Sequence, residues 1–487
     1  MPNRPNVLLI CTDQHRYDVI STYPGSVADT PHLQRLAGAG TVFETCYAPS
    51  PVCAPTRASM LTGRFPSAHG LWANGVTLPD RGDLVSRELA DAGYRTGLIG
   101  KLHLSAAYQG KTEERVDDGF EVFRWAHDPF HGSPENAYHQ WLQKRFPEHW
   151  HRAVADVVTP DKTDFVHADT SFDGMPTEAH YSTWVTHEAT EFLDSQPEDQ
   201  PFFLVLNYFD PHHPFVAPPE YLEKYPTGSV PGPVGSRDEL ATKPPFQLES
   251  SDSSYVGHGP SFVDFDADGI NEIRRTYYAM VSLVDDCVGR VLNELDRRGR
   301  ADNTLVLFTS DHGEMLGDHA MLLKGPMMYD TAVRVPLIVR WPAQVPAGAR
   351  VGGLVGVHDV ARTVRSATGL PPSPADQGLD LVAVARGEGQ ARDWALSQYR
   401  DAGYPNTPEV HTTMLRTPTH KLVVWHGSPA TDRERAGELY DMAVDPDELV
   451  NLWDDPAHLA TRAEMLGRLA DVSMSLEDRW APRLQPW

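Results

Sequence analysis

The sequence predicts an α/β protein in which helices sandwich a large, mixed but mostly parallel central sheet. Short apolar segments that end in polar residues alternate with helical segments through about residue 370, a pattern typical of parallel sheets covered on both faces. Beyond Gly387 the pattern changes to short β segments and one amphipathic helix, which indicates a smaller α+β domain with a short antiparallel sheet. A chain of 487 residues is long enough for two cores. The predicted domains are therefore residues 1–385 and 386–487.

The elements of the larger domain follow one another in regular order. Apolar segments predict strands at residues 6–11, 41–48, 93–100, 202–209, 304–309 and 335–341. Helical spacing and end signals predict helices at residues 30–37, 84–92, 177–195 and about 268–295, the last with Asp268 as its N-cap. The smaller domain is expected to contain strands at 412–415 and 421–425 and a final helix at about 460–476.

Two segments do not fit the alternation of strands and helices. Residues 105–172 are rich in aromatic side chains and irregular, apart from an amphipathic patch at 138–146. Residues 224–260 are rich in Pro, Gly and Ser, which predicts a long loop that serves as a lid or binding loop. Substrate specificity is expected to lie in these two segments and in the smaller domain.

The composition excludes several classes of partner. The 42 basic and 67 acidic residues give a net charge of −25, which argues against nucleic acid and anionic membranes. No apolar run reaches the roughly 20 residues that a membrane helix needs. The first residues lack the cleavage site of a secretory signal, so we expect a cytoplasmic protein. An anionic substrate would need a locally positive pocket.

One of the four cysteines lies at the predicted start of a short helix. Pro55 falls in the first helical turn after Cys53, and Arg57 lies one turn further, where its guanidinium can approach the group at position 53. An anion bound there would also meet free backbone N–H groups at the positive end of the helix dipole. A lone cysteine is most often a small buried apolar side chain. The local pattern leaves both interpretations open.

Two pairs of candidate metal ligands stand at strand ends that are distant in the sequence. Asp13 and Gln14 follow the first strand, and Asp311 and His312 follow a much later one. Strands of one parallel sheet bring their carboxyl ends to a common edge, so we expect the two pairs to meet there. Oxygen ligands suit Ca²⁺, Mg²⁺ or Mn²⁺. Acidic residues at strand ends also serve commonly as caps, so neither pair is decisive alone.

Five separated motifs resemble the pattern of the type I sulfatases, which belong to the alkaline phosphatase superfamily. They are Asp-Gln at 13–14, Cys-x-Pro-x-Arg at 53–57 with Ala-Ser-x-Leu-Thr-Gly-Arg after it, Gly-Lys-x-His at 100–103, Pro-His-x-Pro at 211–214, and Asp-His-Gly-Glu at 311–314 with Leu-Leu-Lys-Gly-Pro at 322–326. The order is that of the family, and the resemblance covers nearly the whole chain. Two residues depart from the usual pattern: Thr56 stands where the family commonly has serine, and Gln14 where it has aspartate.

The resemblance implies a specific nucleophile and a metal. Cys53 would be oxidised to formylglycine by a formylglycine-generating enzyme, and the aldehyde hydrate would be the nucleophile. The implied ligands of one divalent metal are Asp13, Gln14, the residue at position 53, Asp311 and His312. Ca²⁺ is favoured, and Mn²⁺ is the alternative because Gln14 removes one charge and His312 adds a nitrogen ligand.

The resemblance also implies the remaining catalytic groups. They are Arg57, Lys101, His103, His212 and Lys324, of which Lys101 and Lys324 would bind the sulfate group. His213 is the weaker candidate beside His212. We expect Asn74 to contact the substrate.

The expected activity is metal-dependent, arylsulfatase-like hydrolysis of a small-molecule sulfate monoester to sulfate and an alcohol. The alternative is a phosphonate monoester or phosphodiester hydrolase, because such enzymes share the Gln beside the first Asp and the His after the later Asp. Those enzymes typically lack the lysine and histidine found here at positions 101 and 103. A third hypothesis is a non-catalytic, metal-stabilised binding protein in which Cys53 remains a thiol. The sequence is compatible with a homo-oligomer.

Overall fold

The larger of two sheets is built around a fully buried first strand. In this computed structural model, which describes residues 4–80, 83–108, 110–150, 175–406, 409–427 and 436–477, the larger sheet has nine strands. They are β1 (Asn6–Thr12), β2 (Thr41–Tyr47), β3 (Arg95–Gly100), β4 (Val122–Trp125), β5 (Phe202–Tyr208), β6 (Thr304–Ser310), β7 (Arg334–Val335), β8 (Leu337–Arg340) and β9 (Ala349–Gly356). The strand order is β4-β3-β5-β1-β6-β8-β2-β7, and β9 pairs with β2.

The directions of the strands bring the carboxyl ends of the parallel strands to one edge of this sheet. Strands β4, β3, β5, β1 and β6 run parallel to their neighbours. Strand β8 is antiparallel to both β6 and β2, so β2 returns to the direction of β1. Strand β9 is parallel to β2, and the short β7 is antiparallel to it. The sheet is mixed and mostly parallel as predicted, and the carboxyl ends of its parallel strands share one edge.

Helices cover both faces of this sheet. The helices of the described residues, of which α13 packs on the smaller sheet instead, are α1 (Pro31–Gly38), α2 (Cys53–Thr62), α3 (Pro66–His69), α4 (Val85–Asp91), α5 (Ala137–Arg145), α6 (Tyr181–Asp194), α7 (Pro219–Leu222), α8 (Pro245–Asp252), α9 (Ala267–Arg297), α10 (Asp330–Val333), α11 (Asp359–Thr368), α12 (Leu381–Ala385) and α13 (Leu459–Ser475). Leu8 and Ile10 of β1 pack in one core with α1, α6 and α9. Val7 and Leu9 pack in the other core with α2, α4, α11 and α12. This alternation follows from the two-residue period of a strand.

The second sheet is a four-stranded antiparallel meander. Its strands are β10 (Ala395–Arg400), β11 (His411–Arg416), β12 (His420–Trp425) and β13 (Ala436–Asp441). Leu415, Leu422 and Leu439 form an apolar cluster with Met465 and Leu469 of α13. The predicted small antiparallel sheet and its helix are confirmed.

Some predicted elements are corrected. The single strand expected at 335–341 is two short strands, β7 and β8, because Pro336 between them cannot donate to a ladder. Helix α9 is capped by Asp266, whose side chain accepts from the N–H of Gly269 at 2.9 Å, and not by Asp268. The loop expected at 224–260 contains α8 and a 3₁₀ turn at Arg237–Thr242.

Other elements escaped the sequence patterns. The patch at 138–146 is helix α5, and β4 also lies in the segment expected to be irregular; residues 151–172 of that segment lie outside the described part of the chain. Strands β9, β10 and β13 were not individually predicted, because polar residues, and glycine in β9 and β13, interrupt their apolar positions.

Candidate active site

Four neighbouring strands and one helix bring the predicted site residues together. The loop after β3 carries Lys101 and His103, and the loop after β5 carries His212. The loop after β1 carries Asp13 and Gln14, and the loop after β6 carries Asp311 and His312. Helix α2, reached from the end of β2, begins at Cys53. These side chains are buried except for His212, which is half-buried. Asn74, whose Oδ1 accepts from the N–H of Ala54 at 3.1 Å, is also half-buried.

Positively charged and imidazole groups surround the sulfur of Cys53. The Sγ atom lies 3.2 Å from Lys324 Nζ, 3.3 Å from His312 Nε2 and 3.9 Å from Asp13 Oδ1. Burial raises the pKa of the Cys53 thiol, but Lys101, Lys324 and His312 outweigh burial and hold the pKa well below its ordinary value. The position therefore favours a negatively charged atom.

Arg57 organises the two carboxylates. Its Nε donates to Asp311 Oδ2 at 2.9 Å, and its Nη2 donates to Asp13 Oδ2 at 3.2 Å. Lys101 Nζ donates to the same Asp13 oxygen at 2.8 Å. Burial and the negative charge at Cys53 raise the pKa of Asp13, but Lys101, His212 and Arg57 together hold it well below the ordinary value. The guanidinium expected near position 53 thus acts mainly on the carboxylates beside it.

The amide of Gln14 is fixed at both ends. Its Oε1 accepts from Lys324 Nζ at 2.8 Å, while its Nε2 donates to Glu314 Oε2 and lies 3.1 Å from His213 Nδ1. A carboxylate at position 14 would face the carboxylate of Glu314, so the amide suits its neighbour. This contact gives a physical reason for the departure from the usual aspartate.

His103 and His212 approach Cys53 from two other loops. The pKa of each histidine is lowered mainly by burial, and a hydrogen bond to Cys53 partly opposes that effect. Glu113 holds the first loop by accepting from the N–H groups of His103 at 3.0 Å and Ser105 at 3.1 Å. In the second loop, the ring of His212 stacks on His213 at 4.0 Å.

The backbone is strained at two of these strand ends. Gln14 has φ 67° and His103 has φ 62°, both in the left-handed region that non-glycine residues rarely adopt. The N–H of Gln14 is satisfied by Asp311 Oδ1 at 3.1 Å. Such strain persists where the surrounding contacts determine it, and it clusters at functional sites.

The donor set fits a divalent cation. Asp13, Cys53, Asp311 and His312 each offer a ligand atom within 4.8 Å of the others, and all four are buried. Asp13 Oδ1 lies 3.6 Å from His312 Nε2, and Asp311 Oδ1 lies 3.7 Å from it, while Arg57 contacts the outer oxygen of each carboxylate. Two hard oxygens with one imidazole suit Ca²⁺ or Mn²⁺. Gln14 lies beside this cluster, with its oxygen directed at Lys324.

Sequence patterns picked out the residues that converge here but missed the groups that hold them in place. Glu113 lies in an irregular segment with no signal of its own. Asn207 donates to the carbonyl of Lys101 at 2.6 Å, and Tyr277 donates to the carbonyl of Gln14 at 2.6 Å. Glu314 was visible only as the last residue of the Asp-His-Gly-Glu motif. Periodicity places Asn207 and Tyr277 on a strand and a helix but does not indicate what their polar atoms contact.

Comparisons with known proteins agree with this arrangement. The family model described as Sulfatase matches residues 5–370, and the model described as N-sulphoglucosamine sulphohydrolase, C-terminal, matches residues 317–475. The chain belongs to the sulfatase family. It is a sulfuric ester hydrolase of the alkaline phosphatase superfamily.

The similar proteins of this superfamily include a sulfatase and a phosphonate monoester hydrolase. The chain is 31% identical to an uncharacterised sulfatase of Escherichia coli K12, over 99% of this chain and 90% of the relative. It is 30% identical to a multifunctional alkaline phosphatase superfamily protein of Trinickia caryophylli, over 98% and 96%. The structure of a phosphonate monoester hydrolase of Agrobacterium radiobacter superposes with a TM-score of 0.82 at 25% identity, over 97% of this chain and 96% of that one.

None of the helices in the described ranges combines the length and apolarity needed to cross a membrane.

Proposed function

We propose that the protein hydrolyses a sulfate monoester with a formylglycine hydrate, derived from Cys53, as the nucleophile. The observation that carries the proposal is the setting of position 53. It lies at the start of α2, within 3.3 Å of Lys324 and His312, in surroundings that favour a negative atom. That setting suits an oxygen nucleophile attacking an anionic ester.

Maturation would exchange one sulfur and two hydrogens of Cys53 for one oxygen, through a formylglycine-generating enzyme. Thr56 supports the proposal, because its hydroxyl donates to the carbonyl of Ser50 at 2.8 Å. Serine, which the family commonly has at this position, also carries a hydroxyl that could make this bond. We therefore expect the change from serine to threonine to preserve recognition of the motif.

The lysines supply charge where the transition state needs it. One hydroxyl of the hydrate attacks sulfur, and the bond between sulfur and the ester oxygen breaks. Lys101 and Lys324 neutralise the sulfate oxygens, an electrostatic contribution that is usually the largest single one in such transfers. His212, or Lys324 with it, gives a proton to the departing alcohol.

The second hydroxyl of the hydrate allows turnover. His103 removes its proton, the carbon–oxygen bond to sulfate breaks, and the aldehyde forms again. Water then restores the hydrate. The effect of Cys53 on the pKa of His103, which partly opposes burial, supports this role.

We assign the metal to Asp13, Gln14, Asp311, His312 and position 53, with Ca²⁺ favoured over Mn²⁺. When bound, a divalent cation there would polarise a sulfate oxygen and lower the pKa of a nucleophile hydroxyl. Chelation should lower both turnover and the melting temperature, and Ca²⁺ should restore both more effectively than Mn²⁺. Full restoration by Mn²⁺ alone would reverse the metal assignment.

We also propose that residues 1–385 carry the chemistry and residues 386–487 contribute to specificity. Phe246 packs against Trp425 of β12 with ring centroids 5.9 Å apart, which supports a role for the smaller sheet near the segment 224–260.

The second candidate is a phosphonate monoester hydrolase, favoured by the structural similarity to that class and by Gln14 and His312. Lys101, which contacts Asp13 and acts on the charge at Cys53, favours the sulfate ester. Comparing kcat/KM for 4-nitrophenyl sulfate and 4-nitrophenyl phenylphosphonate on one batch decides between them. We expect a preference for the sulfate ester; a large preference for the phosphonate would reverse the assignment.

A further inference from the structure

A strained turn lies beside the active-site histidines. Tyr255 and Val256 have φ 51° and 57°, so two consecutive non-glycine residues, one of them β-branched, adopt the left-handed conformation. The side chain of Val256 is 49% exposed, so burial of an apolar group does not compensate for this strain.

Hydrogen bonds within residues 250–264 hold the turn. The N–H of Ser254 donates to Ser261 Oγ at 3.0 Å, and that of Gly259 donates to the carbonyl of Ser254 at 3.1 Å. The N–H of His258 donates to the carbonyl of Tyr255 at 3.1 Å. These contacts fix the direction in which the Tyr255 side chain leaves the backbone.

The ring of Tyr255 joins the active site to an aromatic surface. Its centroid lies 5.9 Å from that of His213, whose ring stacks on His212. On its other side it lies 5.6 Å from Tyr404, in the connection between β10 and β11. Tyr404 in turn stacks on His258 at 4.5 Å and meets Tyr108 edge-on at 6.4 Å. We call Tyr108, Tyr255, His258 and Tyr404 the aromatic wall.

The hydroxyl of Tyr255 is buried and has no hydrogen-bond partner among the described residues. A buried hydroxyl without a partner destabilises the protein unless something else bonds to it. Burial, followed by the charges of Glu314 and Cys53, holds the pKa of Tyr255 well above its ordinary value, so the hydroxyl remains a donor. The contact of the same ring with His213 places Tyr255 beside the active-site histidines.

We propose that the aromatic wall binds the alcohol part of the ester, that this alcohol is a planar aromatic ring, and that Tyr255 donates a hydrogen bond to the bound substrate. This inference rests on the proposed function, because it names the alcohol released at that site. Tyrosine faces attract a flat ring by offset stacking or edge contacts.

Two other alcohols fit the wall less well. A sugar presents several hydroxyls that need partners when buried, whereas the wall offers mainly ring faces, and Tyr255 carries its buried unpartnered hydroxyl among the described residues. A quaternary ammonium group is held best when aromatic faces surround it. Tyr255 and Tyr404 instead pack against each other at an interplanar angle of 35°, so they face a ligand from one side and do not surround it.

The test compares Tyr255→Phe, Tyr255→Ala and Tyr404→Ala with the wild type, and Val256→Ala is the matched control. Each protein is assayed with 4-nitrophenyl sulfate, ethyl sulfate and N-acetylglucosamine 6-sulfate. Tyr255→Ala should lower kcat/KM for the aryl ester about 30-fold and for ethyl sulfate less than about threefold. Tyr255→Phe should lower the aryl value about fivefold, as expected for one hydrogen bond. Val256→Ala should stay within about twofold for every ester, since its side chain points to solvent.

Binding separates recognition from chemistry. Calorimetry with the Cys53→Ala protein should show tighter binding of 4-nitrophenyl sulfate than of the other two esters, and the preference should disappear on adding Tyr255→Ala. An equal loss for all three esters, or a larger loss for the sugar ester, would overturn the inference. Binding of 4-nitrophenol, which contains no sulfate, tests the wall independently. If the wild type hydrolyses no sulfate ester yet 4-nitrophenol binding depends on Tyr255, the proposed function fails while the aromatic binding wall stands.

Discussion

Two regions of the molecule bury several charged side chains close together: the active site at the carboxyl edge of the large sheet, and the contact between the two sheets. We define the second region, the inter-sheet cluster, as Lys421, Asp330 and Glu448. Lys421 Nζ lies 2.5 Å from Asp330 Oδ1 and 2.7 Å from Glu448 Oε1. The N–H of Asp330 donates to Glu448 Oε2 at 2.6 Å. The single cation of this cluster is shared by its two carboxylates, and Arg334 also lies 3.4 Å from Asp330 Oδ2.

In the active site, by contrast, the charged side chains surround one atom and the carboxylate next to it. Lys324 and His312 lie within 3.3 Å of one atom, the Sγ of Cys53, and Lys101 and Arg57 bind the carboxylate next to it. Its strand ends also carry left-handed backbone at Gln14 and His103. Buried charge alone is therefore not evidence of function. Convergence of several groups on one reactive atom, held by a strained backbone, is the informative feature.

The largest expected effect is at the atom on which the active-site charges converge. Cys53→Ser should reduce kcat at least about 10³-fold, because a single serine hydroxyl can form a sulfate ester but lacks the second hydroxyl needed to expel it. Intact-mass measurement after incubation with substrate should detect the trapped ester. Cys287→Ser, at another buried cysteine, is the control and should retain turnover. Wild-type turnover in Cys53→Ser would show that the convergence has no catalytic meaning.

A change in the inter-sheet cluster should affect stability without affecting chemistry. Lys421→Met leaves Glu448 without its cation and removes the shorter of two cation contacts from Asp330, so it should lower the free energy of unfolding by about 3–5 kcal/mol. The kcat of the protein that remains folded should stay within about threefold of wild type. Urea denaturation and turnover are measured together, with Arg87→Met at an exposed ion pair as a control that should unfold like the wild type. If kcat fell strongly while the protein remained fully folded, the inter-sheet cluster would affect catalysis as the active site does.

The smallest expected effect concerns a buried histidine outside both regions. Burial, assisted by Arg392, lowers the pKa of His358 to about 3. The unfolded chain binds a proton at this residue below pH 6.5 and the native protein does not, so stability falls as pH falls from 6.5 towards 3. Between pH 7.5 and pH 5 this residue should account for about 2 kcal/mol of the loss. His358→Gln should remove that part of the pH dependence in urea unfolding. An unchanged slope would show that His358 is protonated in the folded protein.

The strands and the motif residues of each region were easier to predict from the sequence than the side-chain contacts between them. Apolar strands such as β1 and β5 could be predicted because burial on both faces leaves a continuous apolar run. Strand β9 could not, since five of its eight residues are glycine, arginine or alanine and its ladder within the larger sheet runs along β2. The motif residues of the site were predictable because they sit at strand ends and resemble a family pattern.

The meeting of distant strand ends, such as those that carry Asp13 and Asp311, was predictable, but individual side-chain hydrogen bonds between distant segments were not. The bond from Gln14 to Glu314 joins residues 300 positions apart, and Glu113 holds the His103 loop from an irregular segment. No period or cap encodes such pairs. The aromatic wall is a further example, because Tyr108, Tyr255 and Tyr404 come from three separate parts of the chain.

The most direct test of the account is the chemical state of position 53 in active protein. Tryptic digestion should release residues 36–57, a peptide that contains both Cys46 and Cys53. In natively matured protein, fragment masses should place the exchange of one sulfur and two hydrogens for one oxygen at position 53, with Cys46 intact. The converted fraction should rise in proportion to the turnover of the same batch. Full turnover from protein that contains only the intact thiol at position 53 would contradict the account.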